Sequence, residues 1–256
     1  MNIKNEIELI GMLKNKASGR NATLLNAYIS GSHLYGWESK DSDVDIRGCF
    51  VLRDVELLGL KLPKEVMEIK TEDENDIVLF EIKKMLNLAL KGNCNILEEL
   101  NAPQLYRGSE FLKLRQIINN SFGKDGIYNS YKGLAEFNYK KFILKGRNTI
   151  KKYLYVFRGL MAGIYCLRTG KIEPNITNLN KTFKIKEVTK LVEIKRKGLE
   201  NDPLKDLETG VLDEIIKDLF AQLDDAYIKS KIPEHPDEKD VKEVEEFLKN
   251  IRRKEG

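Results

Sequence analysis

The stretch that decides the fold is GSHLYGWESKDSDVDIRG, residues 31–48. Near its end acidic and apolar residues alternate, in the order Asp43, Val44, Asp45, Ile46. Successive side chains of a β-strand point to opposite faces, so this alternation predicts that Val44 and Ile46 enter the core while both aspartates emerge together on the other face. Two adjacent carboxylates repel each other unless a cation accompanies them, and Mg²⁺ and Mn²⁺ prefer oxygen ligands. The pattern therefore predicts a site for Mg²⁺ or Mn²⁺ on Asp43 and Asp45.

A Gly-Ser pair stands at the start of the same stretch, where a preceding strand is predicted to end. Gly31 has no Cβ, so backbone N–H groups can approach a phosphate, and the Ser32 hydroxyl can supply a further hydrogen bond. A Gly-Ser pair or an Asp-x-Asp sequence alone is common by chance. The combination, with Asp43 eleven residues after Ser32, is far rarer. It predicts metal-assisted phosphoryl or nucleotidyl transfer, with Gly31 and Ser32 binding the nucleotide.

The composition limits the class of protein. The chain has 256 residues, of which 41% are hydrophobic and 33% charged, as in a globular protein of one large domain or two small ones. The formal net charge of +4 permits nucleic-acid binding without indicating it. No apolar run is long enough to cross a bilayer, so we expect a cytoplasmic protein with no membrane partner. The three cysteines, Cys49, Cys94 and Cys166, are expected to be reduced and structural, and neither they nor the two histidines show zinc-ligand spacing.

The order of the predicted elements indicates an α+β fold. A first helix is predicted around residues 7–13. Short β-branched or aromatic runs then predict strands at 24–30, 44–52, 66–70 and 77–80. Apolar residues at helical spacing predict helices at 82–90, 148–168, 188–199, 211–227 and 241–251. The change from strands to helices predicts a domain boundary near residue 110, with domains at 1–110 and 111–256.

Four blocks of the sequence resemble a known family: GSHLYG, SDVDIRG, KKMLNLALKGNCNILEEL and KKYLYVFRGLMAG, within residues 31–163. They are similar to the DNA polymerase β-like nucleotidyltransferase superfamily, and within it to the predicted nucleotidyltransferases that include RlaP-like, RNA-repair-associated proteins. The resemblance implies a polymerase-β-type sheet flanked by helices and followed by an α-helical C-terminal part that completes the cleft. It also implies Mg²⁺ dependence, an NTP donor and an RNA end as a candidate acceptor. The sequence departs from the family pattern at Cys94 and Gly159, where proline is expected, which bears on local backbone geometry and not on the acids.

The superfamily usually has a third carboxylate on a neighbouring strand, and two positions compete for it. Asp76 begins a predicted strand where the resembling family tends to have an acid. Glu68 lies between Met67 and Ile69 and fits the generic pattern of an acid between apolar residues. We favour Asp76 as the third catalytic and metal-binding acid, acting as general base or as a further metal ligand. Glu81 is attributed to a helix start, where acids are favoured.

Basic residues are candidates for binding the triphosphate. Lys151 and Lys152 lie in the first turn of a predicted helix, where a cation opposes the helix dipole, so either both are solvated or an anion binds there. Arg158 is expected to lie off the apolar stripe and face the same cleft. Arg47 shares its strand face with Asp45 and either pairs with the acids or contacts the nucleotide.

Two further segments of the sequence are basic. In EFNYKKF, Tyr139 and Lys140 are candidates to line the cleft. The run IKRK at 194–197 is interpreted as a solvated helix face.

Two other functions fit the same residues. The protein could transfer AMP to a protein side chain, as an antitoxin-like modifier, or bind nucleotide without catalysis. Intact Gly31, Ser32, Asp43 and Asp45 argue against the second, because a binder of polyanions has no need for concentrated negative charge. The sequence leaves the identity of the NTP, the acceptor and the oligomeric state undetermined.

Overall fold

A five-stranded sheet forms the centre of the N-terminal half. A computed structural model describes residues 3–40, 42–70, 76–198 and 209–255. The strands are β1 Ala22–Ile29, β2 Asp45–Leu52, β3 Val66–Lys70, β4 Asp76–Glu81 and β5 Gln104–Arg107. Their order is β3-β4-β2-β1-β5, and β2 and β4 are parallel while the other neighbours are antiparallel. The four predicted strands are confirmed, and the short edge strand β5 was not predicted.

The alternation in β2 separates two cores, one on each face of the sheet. Ile46 and Phe50 pack on one face with the first helix, α1 Ile3–Ser18. Cys49 and Val51 point to the other face, into a larger core built mostly from helices. Asp45 and Arg47 lie on this second face, at the end of the strand where the helical layer does not fully bury them. The expected orientation is therefore confirmed for Asp45, whereas Asp43 precedes the strand.

Helices make up most of the remaining chain. They are α2 Gly31–Tyr35, α3 Asp54–Leu57, α4 Ile82–Leu90, α5 Cys94–Asn101, α6 Phe111–Asn119, α7 Lys124–Asn138, α8 Ile150–Thr169, α9 Ile176–Phe183, α10 Lys186–Lys197, α11 Thr209–Lys229 and α12 Glu238–Glu255. A π-helix, Tyr139–Ile143, follows α7 directly. In the parts of the chain described above, no helix has both the length and the apolarity to cross a membrane.

Helix α8 is the centre of the helical layer. It contacts α7, α9, α10 and α11, and almost its whole circumference beyond the first turn is buried. The α+β class, with a flanked sheet followed by helices, is confirmed. The predicted helices at 148–168, 211–227 and 241–251 are present. The helix predicted at 188–199 is present as Lys186–Lys197 and ends at Gly198, whose backbone is extended, while residue 199 lies outside the described residues.

The division into domains at 1–110 and 111–256 stays a prediction. The larger core is continuous across that position, because it joins Leu25 and Val51 of the sheet to residues of α8, α11 and α12.

Candidate active site

The two acids at the strand starts are brought together by the parallel pairing of β2 and β4. Asp45 is the first residue of β2, Asp76 is the first of β4, and the two are direct partners in the register. One guanidinium nitrogen of Arg47, Nη2, lies 3.3 Å from Asp45 Oδ1 and 2.9 Å from Asp76 Oδ2. Asp43 precedes the strand and is exposed. The structure thus joins Asp45, Asp76 and Arg47 in one cluster, with Asp43 two residues away in sequence.

Glu68 lies farther from Asp45 than Asp76 does in the sheet register. It is on the edge strand β3 opposite Val78, whereas Lys70 is the partner of Asp76. Glu81 caps α4 by accepting a hydrogen bond from the backbone N–H of Lys83. This position agrees with the helix-start interpretation of Glu81. The choice of Asp76 over Glu68 stays a prediction, and the register favours it.

The Gly-Ser pair abuts the first of these acids. Gly31 begins the short helix α2 with a φ of +65°, and a Cβ at this position would overlap Asp45 Oδ2. The backbone N–H of Ser30 donates to the Asp45 carbonyl oxygen at 2.7 Å. Only glycine fits this close approach, so residue 31 must be glycine for the Gly-Ser helix to lie against the acids.

The start of α8 contributes positive charge to the electrostatics of Asp45. Burial raises the pKa of Asp45, Arg47 and Lys151 lower it, and Asp76 and Asp43 raise it. Thr149 caps α8, because its Oγ1 accepts a hydrogen bond from the Lys152 N–H at 3.3 Å. The Lys152 ammonium lies 3.9 Å from the centre of the Phe142 ring. The expected first-turn position of both lysines is confirmed, while nucleotide binding by them is not yet tested.

Arg158 is not in the cleft, contrary to the sequence-based expectation. Its side chain and that of Glu98 are each only 1% exposed, and Nη1 lies 2.6 Å from Glu98 Oε1. The guanidinium carbon also stacks 3.8 Å from the centre of the Tyr35 ring, at the end of α2. Helix α8 is packed on every side at this depth, so a residue off its apolar stripe still points into protein. Arg158 therefore supports α2 from behind.

The run at 194–197 is a solvated face only in part, because Arg196 and Lys197 are exposed while Lys195 is buried. Its ammonium donates to Ser39 Oγ at 2.8 Å. Ser42 Oγ in turn accepts a hydrogen bond from the Ser39 backbone N–H at 2.9 Å. This chain of contacts ties the loop that precedes Asp43 to α10. Lys195 follows Val188, Leu191 and Val192 at helical spacing, and that periodicity was the overlooked signal.

A buried acid beneath the cluster was not predicted. Glu99, in α5, is 1% exposed, and its Oε1 has no hydrogen-bond partner in the described structure. It shares a hydrogen bond with Tyr28, the β1 partner of Arg47. Burial raises the pKa of Glu99 well above its usual value, and Arg47 opposes the shift. Glu98 and Glu99 are adjacent in α5 and both are buried, so no apolar spacing in the sequence indicates that either side chain faces the core.

The side chains suit a divalent metal ion, although they do not form a finished site. Carboxylate oxygens are the ligands of Mg²⁺ and Mn²⁺, and the place between Asp45 and Asp76 already stabilises a cation, the Arg47 guanidinium. In the described ranges, no three metal-ligating side chains are grouped closely enough to hold an ion. An ion that bridges Asp45 and Asp76 would have to displace the guanidinium.

A mixed sheet with acids at parallel strand starts, a Gly-Ser helix against them and helices over the same face is the architecture of polymerase-β-type nucleotidyltransferases. Comparison with known proteins makes the assignment narrower. The chain belongs to the RlaP family, described as the RNA repair pathway DNA polymerase beta family, whose model matches residues 6–250.

Individual relatives extend over most of the chain. "Uncharacterized protein MJ0002" of Methanocaldococcus jannaschii is 30% identical over 229 residues, which cover 86% of this chain and 92% of that protein. "Uncharacterized protein YcgL" of Bacillus subtilis (strain 168) is 29% identical over 202 residues, 76% of this chain and 78% of that protein. The crystal structure of a nucleotidyltransferase-like protein from Exiguobacterium sibiricum is similar with a TM-score of 0.31 and 11% identity, over 97% of this chain and 80% of that one.

Proposed function

We propose that the protein is a metal-dependent nucleotidyltransferase that transfers NMP from an NTP to an acceptor hydroxyl, with an RNA end as the acceptor. In this reaction the acceptor oxygen forms a bond to the α-phosphorus, the bond from that phosphorus to the bridging oxygen breaks, and pyrophosphate leaves. The hydroxyl proton passes to a carboxylate, for which Asp76 is the candidate. The NTP donor and three free, buried cysteines support a cytoplasmic location as part of the proposal.

The observation that carries the proposal is the register of Asp45 with Asp76, directly beside Gly31. Paired acids are costly next to a bound polyanion, so their presence at a phosphate-binding turn favours catalysis over simple binding. Asp43, Asp45 and Asp76 would hold Mg²⁺ or Mn²⁺. The bound ion would supply charge neutralisation for the triphosphate and for the departing pyrophosphate.

The other polar groups of the site are proposed to hold the substrate. Gly31 and Ser32 offer backbone N–H groups and a hydroxyl to the phosphates, and Lys151 and Lys152 offer ammonium groups at the start of α8. Arg47, once separated from the acids, has a planar guanidinium able to contact two phosphate oxygens. Arg158 is no longer proposed as a phosphate ligand and acts only through Tyr35.

The experiment combines donor, metal and acceptor in one panel. Purified protein is incubated with each α-labelled NTP, with Mg²⁺ or Mn²⁺, and with RNA, DNA or protein acceptors, and label transfer and pyrophosphate release are followed. Asp45→Asn and Asp43→Asn should abolish transfer. Glu68→Gln is the matched control, because it removes an acid that lies outside the cluster.

The outcomes separate the alternatives. Label on RNA that depends on Asp45 supports the proposal. Label on protein instead would identify an AMP-transferring modifier. NTP binding without pyrophosphate release from any acceptor, under all metal conditions, would reduce the protein to a nucleotide-binding module and overturn the proposal.

A further inference from the structure

A basic and aromatic segment, residues 137–152, adjoins the candidate active site, and we call it the basic–aromatic segment. It contains the end of α7, the π-helix, a turn and the first turn of α8. Its six basic residues are Lys140, Lys141, Lys145, Arg147, Lys151 and Lys152. The sequence has no acidic residue from 137 to 172, although the chain as a whole carries only +4. The positive charge of this protein is thus locally concentrated here.

Aromatic rings alternate with the ammonium groups on this surface. Phe137 is 54% exposed, and its ring centre lies 6.2 Å from that of Phe142 in an edge-to-face arrangement. The Lys141 ammonium lies 4.6 Å from the Phe137 ring centre and 5.5 Å from that of Phe142. The Lys152 ammonium covers Phe142 from 3.9 Å. An exposed phenylalanine flanked by lysines offers an open ring face for stacking and cations for phosphates.

The surface is continuous with the acid cluster. The Lys152 ammonium lies 6.0 Å from the centre of the Tyr155 ring, and that ring lies 6.0 Å from Tyr35 at the end of α2, the helix that begins against Asp45. Burial lowers the pKa of Lys152, and both Lys151 and Lys141 lower it further. The ammonium groups of Lys152 and Lys141 therefore extend from the side of α8 next to α2, past Phe142, to Phe137. Like charges in a row repel each other, and a polyanion lying along the row would relieve that repulsion.

A π-helix lies in the middle of this row. Residues 139–143 depart from regular α-helical hydrogen bonding, and such insertions are frequent at functional sites. Here the irregular turn ends at Leu144, which is 62% exposed, and it places Phe142 between two lysines.

We propose that the basic–aromatic segment binds single-stranded nucleic acid, and that it leads the end of that strand to the acids as the acceptor. The second half of the statement rests on the proposed function. Single strands fit because their bases are open to stack on Phe137, whereas base pairing hides those faces. Lys141 and the other cations near Phe137 would contact the phosphates of the strand, while Lys151 and Lys152 at the start of α8 would hold the NTP that its terminal hydroxyl attacks.

The test measures binding by the full chain, separately from transfer. A fluorescent oligouridine, the matching oligodeoxythymidine and an RNA hairpin of equal length are titrated by anisotropy at two salt concentrations. Phe137→Ala should weaken single-strand binding by at least about fivefold, since stacking of one base contributes to affinity at that level or more. Lys141→Gln should reduce the salt slope by roughly 0.7. Lys229→Gln, an exposed lysine of α11 paired with Asp225, is the control and should bind as wild type.

Three outcomes would overturn the proposal: equal affinity for hairpin and single strand, wild-type binding by both variants, or loss of affinity in the Lys229→Gln control as well. Binding of phosphatidylserine vesicles in place of RNA, reduced by the same variants, would also overturn it and identify a membrane surface. Melting temperatures of the variants show that they are folded, which is expected because Phe137 and Lys141 are exposed. If single strands bind through Phe137 but no nucleotide is transferred to any acceptor, the proposed binding surface is supported and the proposed function is refuted.

Discussion

Replacing Arg158 by methionine is predicted to destabilise the protein strongly, because it leaves Glu98 buried without its cation. Both side chains are 1% exposed and their charged atoms are 2.6 Å apart, so solvent screening is slight. Removing one partner of a buried ion pair costs about 3–5 kcal/mol in the free energy of unfolding. Tyr131 still donates a hydrogen bond to Glu98 Oε1 at 3.0 Å, but Oε2 has no hydrogen-bond partner among the described residues. We therefore expect a loss within that range.

The size of the loss should depend on pH. Burial already raises the pKa of Glu98 while Arg158 lowers it, so loss of the arginine raises the pKa further. The folded variant then binds a proton more tightly than the unfolded chain does, and its stability falls as pH rises. Urea unfolding of Arg158→Met should show a larger deficit at pH 8 than at pH 5.

A second replacement distinguishes the ion pair from simple packing. Glu98→Leu in the Arg158→Met background removes the stranded carboxyl and should recover most of the lost stability, since apolar residues can replace buried ion pairs. Tyr35 would still lack its stacked guanidinium, so α2 should hold Gly31 less firmly and NTP affinity should be lower in the stable double variant. A single-variant loss below about 1 kcal/mol, or a second replacement that adds to the deficit, would refute the reasoning.

Three other predictions concern the acids and the lysines. Asp76→Asn should reduce transfer far more than Glu68→Gln, because of these two acids only Asp76 is in register with Asp45. Initial rates of transfer test this, and the opposite order would assign the role of third acid to Glu68. Glu99→Gln should raise the melting temperature at pH 8 and not near pH 4. Burial raises the pKa of Glu99, so the folded state loses stability as the pH rises above the usual pKa of 4.5. A gain of equal size at both pH values would contradict this. Replacing Lys151 and Lys152 together by glutamine should weaken Mg·NTP binding roughly tenfold or more by calorimetry, and a change below about twofold would leave the start of α8 as a scaffold.

The sequence was most informative where one residue pattern has one structural solution. The alternation of Asp43 to Ile46 predicted the faces of β2, because a shift of one residue would bury the acids. The long apolar pattern of α8 likewise predicted its extent to within a few residues. Strand β5 was missed because four mixed residues carry no clear period.

The arrangement of the site was less predictable because it depends on how distant segments meet. The register between Asp45 and Asp76 follows from a parallel pairing that no local spacing specifies. Arg158 was misplaced because the sequence does not reveal how many neighbours surround a helix, and α8 has neighbours on all sides. The helical spacing of Lys195 with Leu191 predicts its buried position, although its charge favours exposure.

Helix α12 has a consequence for the order in which this protein can be assembled during synthesis. Arg252 donates to the Leu52 carbonyl oxygen at 3.2 Å and to Glu81 Oε1 at 2.9 Å, across 200 and 171 residues of chain. Glu81 is buried, and among the described residues its cationic partner is Arg252, so this carboxylate is unpaired until residue 252 has been made. The strands that carry Asp45 and Asp76 are made long before α12, yet the far ends of both are completed by that helix. Nascent chains that stop before residue 252 should hold the sheet only loosely, and nucleotide affinity should appear abruptly once α12 has been made.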